Sequence, residues 1–196
     1  MTRSVMTAGV LVLMLSTSTA LASPMNQWAT SVLGYSSEWS NGDWSAVQAL
    51  GAPDTSTYGD NTTAWAPLPE NGSLEYLTLG YSTPVYADAV TVQETNGNGF
   101  VYQIDLVDLS SQLHTVWTGS DTSQPGAPVS FQVNFTQTGY LVQGVKVYVD
   151  TNHDLTTWEE IDAVQLSGNT APEPATLSLL ALGGLAMVRR RQANLG

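Results

Sequence analysis

Phe100-Val101-Tyr102-Gln103-Ile104-Asp105-Leu106-Val107 sets large apolar residues at every second position. That period puts Phe100, Tyr102, Ile104 and Leu106 on one face of a strand and leaves the other face mixed. The same reading extends outward. Val145, Val147 and Val149 alternate with Lys146, Tyr148 and Asp150, and Val129, Phe131, Val133 and Phe135 alternate with polar residues. Strands are also expected at 30–36, 74–79, 87–94, 113–118 and 161–166. Turn chemistry separates them at Asn71-Gly72, Asn96-Gly97-Asn98-Gly99, Gln124-Pro125-Gly126 and Thr138-Gly139. The one helical expectation is a turn or two over 44–50, stopped by Gly51 and Pro53. About eight short strands with turns between them predict an all-β, antiparallel β-sandwich.

Composition narrows the function classes. The 196 residues include 17 Asp+Glu and 5 Lys+Arg, for a net charge of −12. Arg3, Lys146, Arg189, Arg190 and Arg191 are the five bases, so four of them lie near the ends. Such a chain repels phosphate backbones and anionic lipid head groups, which argues against nucleic acid as a partner. It suits divalent cations and neutral sugars. No cysteine is present, so neither disulfide nor thiol chemistry is available.

Both ends read as targeting segments. Arg3, the apolar stretch Ala8–Leu15 and the small-x-small site Ala20-Leu21-Ala22 make residues 1–22 a secretory signal peptide. A domain is expected over 23–168, followed by a linker over 169–174 that contains Pro172-Glu173-Pro174. An apolar helix over 175–188 and a basic tail over 189–196 complete the chain. The apolar run is 14 residues, or about 21 Å of helix, short for a permanent span. By the positive-inside rule, Arg189, Arg190 and Arg191 stay cytoplasmic. Motif, apolar run and arginine stop, in that order, resemble the PEP-CTERM sorting signal. The resemblance implies export through the inner membrane, transient anchoring there through the apolar helix, and cleavage by an exosortase-type enzyme near Pro172-Glu173-Pro174. It also implies release into an extracellular polysaccharide matrix.

A second resemblance covers the domain. Gln48-Ala49-Leu50-Gly51-Ala52-Pro53-Asp54 is followed by Tyr58-Gly59-Asp60 and Ala64-Trp65, and later by Trp158-Glu159-Glu160-Ile161-Asp162-Ala163-Val164. This order is similar to the discoidin-like, galactose-binding-like jelly roll, and more closely to the scarf-type domain of pappalysins. It implies a non-catalytic binding scaffold, often with a structural calcium ion, that takes sugars, lipids or proteins through loops at one end.

The residues offer two candidate sites. Calcium wants several hard oxygen ligands. The loop 50–63 supplies Asp54, Asp60, Asn61 and Thr63, and the family pattern implies Glu160 as the carboxylate from the last strand. The insert Ala52–Tyr58 departs from that pattern. Tyr35, Trp39, Trp44 and Tyr58, with Asn41 and Asp43 among them, crowd the early loops. Aromatic faces beside amides and carboxylates suit a glycan, while Trp39 and Trp44 could equally close one end of the sandwich. Trp65, Trp117 and Trp158 read as core or rim residues. Asp150-Thr151-Asn152-His153-Asp154 reads as a solvated loop. The two histidines, His114 and His153, fall in no catalytic motif, and there is no G-x-S-x-G elbow, so a binding function is expected rather than an enzyme.

Overall fold

The computed structural model describes residues 22–172. Residues 1–21 of the expected signal peptide, Glu173, Pro174, the apolar run and Arg189–Arg191 lie outside the described residues. Eight strands follow one another: β1 (Pro24–Trp28), β2 (Ser31–Tyr35), β3 (Leu74–Asn96), β4 (Val101–Asp108), β5 (Leu113–Thr118), β6 (Val129–Asn134), β7 (Val142–Asp150) and β8 (Glu160–Thr170). The short helix expected near residue 44 is a single 3-10 turn, Ala46–Ala49. Every strand pairing is antiparallel.

The jelly-roll sandwich turns on β3, where two strands were expected. Its first half, Leu74–Gly80, lies between β2 and β7. From Val85 on, it pairs with β8, and from Ala89 to Glu94 it lies between β8 and β6. One layer is therefore β2-β3-β7-β4-β5 and the other β1-β8-β3-β6, with β3 crossing from one to the other at a corner, as bent strands do in such sandwiches. Gly80 and Pro84 look like strand breakers in sequence. The chain stays extended through them because a side chain replaces the missing ladder. The Gln27 amide donates to the Thr83 carbonyl at 2.6 Å and accepts the Thr83 N–H at 3.2 Å. Pro84, which has no N–H to offer, sits where no ladder bond is required.

Period-2 alternation fills the space between the layers. Leu77, Leu79, Val145, Val147 and Val149 from one side meet Val90, Val92, Val164 and Leu166 from the other, all fully buried. In β4, Ile104 and Leu106 are buried as expected, but a bulge between Val101 and Gln103 shifts the parity. Val101 turns in, and Tyr102, expected inside, lies partly exposed on the outer face. β1 was not anticipated, because Pro24-Met25-Asn26-Gln27-Trp28 has no apolar alternation. It forms an edge by pairing along β8, which itself runs past the expected domain end to Thr170.

Candidate functional site

The long connection between β2 and β3 builds one end of the sandwich. Trp65 anchors it: its side chain is fully buried, and its backbone exchanges hydrogen bonds with Ile161 of β8 at 2.9 and 3.0 Å. Its indole N–H donates to the Ser37 carbonyl at 3.1 Å. Two more turns are stitched to this anchor. The Trp39 N–H donates to Ala66 O at 3.0 Å, and the Trp44 N–H donates to Thr62 O at 3.1 Å. Trp44 takes φ +55°, a left-handed conformation that costs a non-glycine residue about 1–2 kcal/mol. The cost falls where the Trp44 ring meets Trp39 edge to face, with centroids 4.9 Å apart.

Trp39, Trp44, Trp158, Ala66, Asp60 and Glu160 line a cavity of about 70 Å³. Trp39 is 46% exposed and forms its outer lip. The indole N–H groups of Trp44 and Trp158 are buried without an acceptor. Glu160 is fully buried and accepts the Asn61 N–H at 3.2 Å. Burial, with the Asp60 carboxyl beside it, pushes the Glu160 pKa up to about 8 against the opposing pull of Asn61. Nearby, Asp162 accepts the backbone N–H groups of Asp54 at 3.4 Å and Thr55 at 3.3 Å. Burial raises its pKa too. The insert between Ala52 and Tyr58 thus points two amide hydrogens at Asp162 of β8, and Asn61 just beyond it points one at Glu160.

The candidate residues regroup. Trp39 and Trp44 come together with Asp60 and Glu160, so half of each candidate set shares one cavity. Tyr35 instead donates to Glu38 at 3.0 Å, and the Tyr58 hydroxyl accepts the Gly97 N–H at 3.3 Å; both hold loops in place. Asp54 goes with Asp162, and Thr63 bonds Thr55 through their hydroxyls at 2.6 Å. Of Asp54, Asp60, Thr63 and Glu160, Asp60 and Glu160 line the cavity. Among the described residues there is no cluster of three or more His, Cys, Asp or Glu that could hold a metal. Calcium also takes hydroxyl and carbonyl oxygens, and Asp60 and Glu160 are the pair that would face a cation at the cavity.

Sequence reasoning missed Trp158 as a site wall and Asp162 as the loop's anchor. The signal was the crowding of Trp158, Glu159, Glu160 and Asp162 at the start of one strand. It also missed other buried acids at this end. Glu94, fully buried beside Asp121, accepts the Gly99 N–H at 2.8 Å, and burial pushes its pKa up to about 10. Glu159 is fully buried with neither carboxylate oxygen bonded, and burial moves its pKa to about 8. The 150–154 loop is capped internally, Asp150 Oδ1 accepting the Asn152 N–H at 2.9 Å. His153 is tied in at 2.9 Å to the Asn98 carbonyl.

Comparison with known proteins agrees with this architecture. The family model for the pappalysin-1 SD scarf domain, C-terminal, matches residues 18–176, and that for the PEP-CTERM protein-sorting motif matches residues 170–192. No curated protein matches the chain. Among solved structures, the family 32 carbohydrate-binding module of C. perfringens NanJ, in complex with galactose, is similar with a TM-score of 0.52 at 12% identity; the match covers 74% of this chain and 93% of that one. The C-terminal domain of a chitobiase from Bacteroides fragilis gives 0.53 at 11% identity, over 74% and 95%. The structure of reduced XRCC1 bound to the DNA polymerase β catalytic domain gives 0.54 at 12% identity, over 74% and 99%. At such identities the likeness shows the galactose-binding-like fold alone, a fold found here in proteins with different partners.

Proposed function

The chain belongs to the family of the pappalysin-1 SD scarf domain and ends in a PEP-CTERM sorting motif, and on that footing we propose that it is an exported, non-catalytic glycan-binding module. Its binding end is the tryptophan cavity. The observation that carries this reading is the pairing of unmet needs there. Two indole N–H groups lack acceptors, the exposed Asp60 can accept from a hydroxyl, Glu160 can donate the proton that burial keeps on it, and three indole faces border them. Sugar hydroxyls supply both donors and acceptors, and sugar C–H faces lie against indoles. At about 70 Å³ the cavity admits one edge or substituent of a pyranose rather than a whole residue. The rest of the ring would lie on exposed Trp39. The galactose held by the C. perfringens module supports this class of ligand.

In this reading an exosortase-type enzyme processes the chain near Pro172, and the domain then works in an extracellular polysaccharide matrix. Calcium is proposed only at Asp60 and Glu160, with water completing its shell. The competing reading is an architectural protein of the surface or biofilm matrix with no small-molecule ligand; it draws on the sorting motif alone. A glycan array probed with the full-length protein decides between them. Retention of a glycan that Trp44→Ala abolishes is expected. Failure to retain any glycan, including the producer's own exopolysaccharide, would leave the architectural role. Hydrolysis of a bound glycan, lost on changing Glu160 to Gln, would overturn the non-catalytic assignment.

A further inference from the structure

A larger concavity lies away from the loops, on the outer face of the β2-β3-β7-β4-β5 layer. It is a groove of about 560 Å³, within the size range of ligand sites. Gly80 lines it, and pairs with Gly144 across β3 and β7. Leu33 lies over them, so close that a Cβ on Gly144 would stand 2.9 Å from its Cδ1.

The groove's charge is unusual for this chain. No Asp or Glu lines it, and Lys146 is its only charged residue. Lys146 is also the only Lys or Arg among the described residues. Its ammonium sits 3.7 Å from the Tyr76 ring centroid and 4.6 Å from that of Tyr148. No carboxylate pairs with it: the only ion pair among the described residues is His114–Asp108. Asp105, its cross-strand neighbour, is already engaged by the Tyr148 hydroxyl at 2.7 Å and the Gln103 amide at 2.9 Å. What faces a ligand is the ammonium above the Tyr76 ring, the hydroxyls of Ser31 and Thr78, and the Gln143 amide, whose nitrogen also donates to the Asp108 carbonyl at 2.8 Å.

We propose that this sheet face is a second saccharide site, independent of the tryptophan cavity, and that it takes a glycan strand bearing carboxylate groups. A sugar acid would set its carboxylate on Lys146, whose ammonium covers the Tyr76 ring, and its hydroxyls against Ser31 and Thr78. The hydroxyl-bearing walls suit a pyranose chain. The negative charge over the rest of the chain would confine an acidic glycan to this groove.

The test is affinity electrophoresis of the full-length protein in gels containing polygalacturonate, alginate or hyaluronan, with dextran as the neutral control. At least one uronate polymer should retard the wild type, and dextran should not. Lys146→Met should weaken the interaction roughly tenfold, the loss of one charged hydrogen-bonding contact, while Lys146→Arg keeps most of it. Gln143→Ala, which also gives up a bond to the Asp108 carbonyl, should weaken it at temperatures where the variant is still folded, which covers the case in which Lys146→Met fails to fold. Trp44→Ala should leave it intact, so that failure of the cavity reading does not count against the groove. Three outcomes overturn the proposal: no retardation by any uronate polymer, equal retardation of wild type and Lys146→Met, or retardation by dextran that matches the uronates. Concentration-dependent dimers that Lys146→Met abolishes, without glycan retention, would assign the face to a second copy of the chain instead.

Discussion

At the end of the sandwich, the cavity walls come from one long loop and the start of β8; on the outer sheet face, Tyr76, Lys146 and Gln143 project from neighbouring strands. The two regions differ most in how their polar atoms are satisfied. Buried side-chain atoms without a partner fall on Trp44, Glu94, Thr95, Asn98, Asp121, Trp158 and Glu159, and none belongs to the sheet-face groove. Strand ladders use up backbone polarity and push side chains outward, so the sheet face needs no compensation. A loop that must cover an open end brings acids and indoles inward without supplying all their partners. The strain at Trp44 belongs to the same end. The loop end therefore has free energy to gain from a ligand, while the sheet face offers a preformed surface.

The largest effect should come from cutting the loop end loose. Trp65→Ala removes the fully buried indole on which the loop packs and its bond to the Ser37 carbonyl, and truncating a buried Trp costs about 3–5 kcal/mol. Urea unfolding should show that loss in its midpoint, and glycan retention at the cavity should go with it. If Lys146-dependent retention survives below the new midpoint, the two regions are separable; if both vanish together while the protein remains folded, the distinction drawn here fails.

Acidity should separate the regions next. Glu94, Glu159 and Glu160 have pKa values raised by burial, to about 10, 8 and 8. An acid whose folded pKa lies above its unfolded value keeps its proton in the fold after the unfolded chain has lost it. The folded state then binds more protons, and stability falls as pH rises from the unfolded value near 4.5 through the folded one. The melting midpoint should therefore drop steadily from pH 5 to pH 9. Glu160→Gln, which carries no titrating proton, should flatten part of that slope. A midpoint that rises over this range would mean the loop end carries its acids ionised.

This contrast also explains what could be read in advance. The sandwich was legible because alternation survives averaging: Val145, Val147 and Val149 face inward whatever happens at the ends. The corner at Gly80–Pro84 was not, because the rescue of Thr83 by Gln27 joins positions 56 residues apart in sequence. Tyr102 was assigned to the wrong face because a single bulge reverses every side chain on one side of it. At the site, Trp39 and Trp44 stood out as a cluster of indoles, and Asp60 and Glu160 as cation ligands. Their convergence depends on a loop path that no local pattern encodes. The groove was invisible for the opposite reason. Lys146 and Tyr76 each look like an ordinary outward residue of a half-buried strand, and only the register of β3 against β7 puts them side by side.

A gentler probe asks whether the strain at Trp44 serves binding. Glycine is at ease at φ +55°, so Trp44→Gly relieves about 1–2 kcal/mol of backbone cost. It also forfeits the edge-to-face contact with Trp39, worth about 0.5–1.5 kcal/mol. Stability should move by no more than about 1.5 kcal/mol, the largest difference of those two terms, while glycan retention at the cavity is lost and polygalacturonate retention is kept. Large destabilisation with binding intact would make Trp44 a structural plug, the alternative its sequence position always allowed.

The smallest expected effect concerns calcium. Asp60 is exposed and Glu160 buried, so an ion between them would have one wet and one dry ligand. Glu160 would also have to give up a proton that burial favours keeping, which weakens binding at neutral pH and strengthens it as pH rises. At ten times its dissociation constant, a bound ion stabilises the fold by about 1.4 kcal/mol. The melting midpoint should therefore rise by a few degrees in millimolar calcium, more at pH 8.5 than at pH 6.5, and Asp60→Asn should cancel the rise. An unchanged midpoint at both pH values, with and without chelator, would remove calcium from the cavity. The Asp60 and Glu160 acids would then be left for sugar hydroxyls alone.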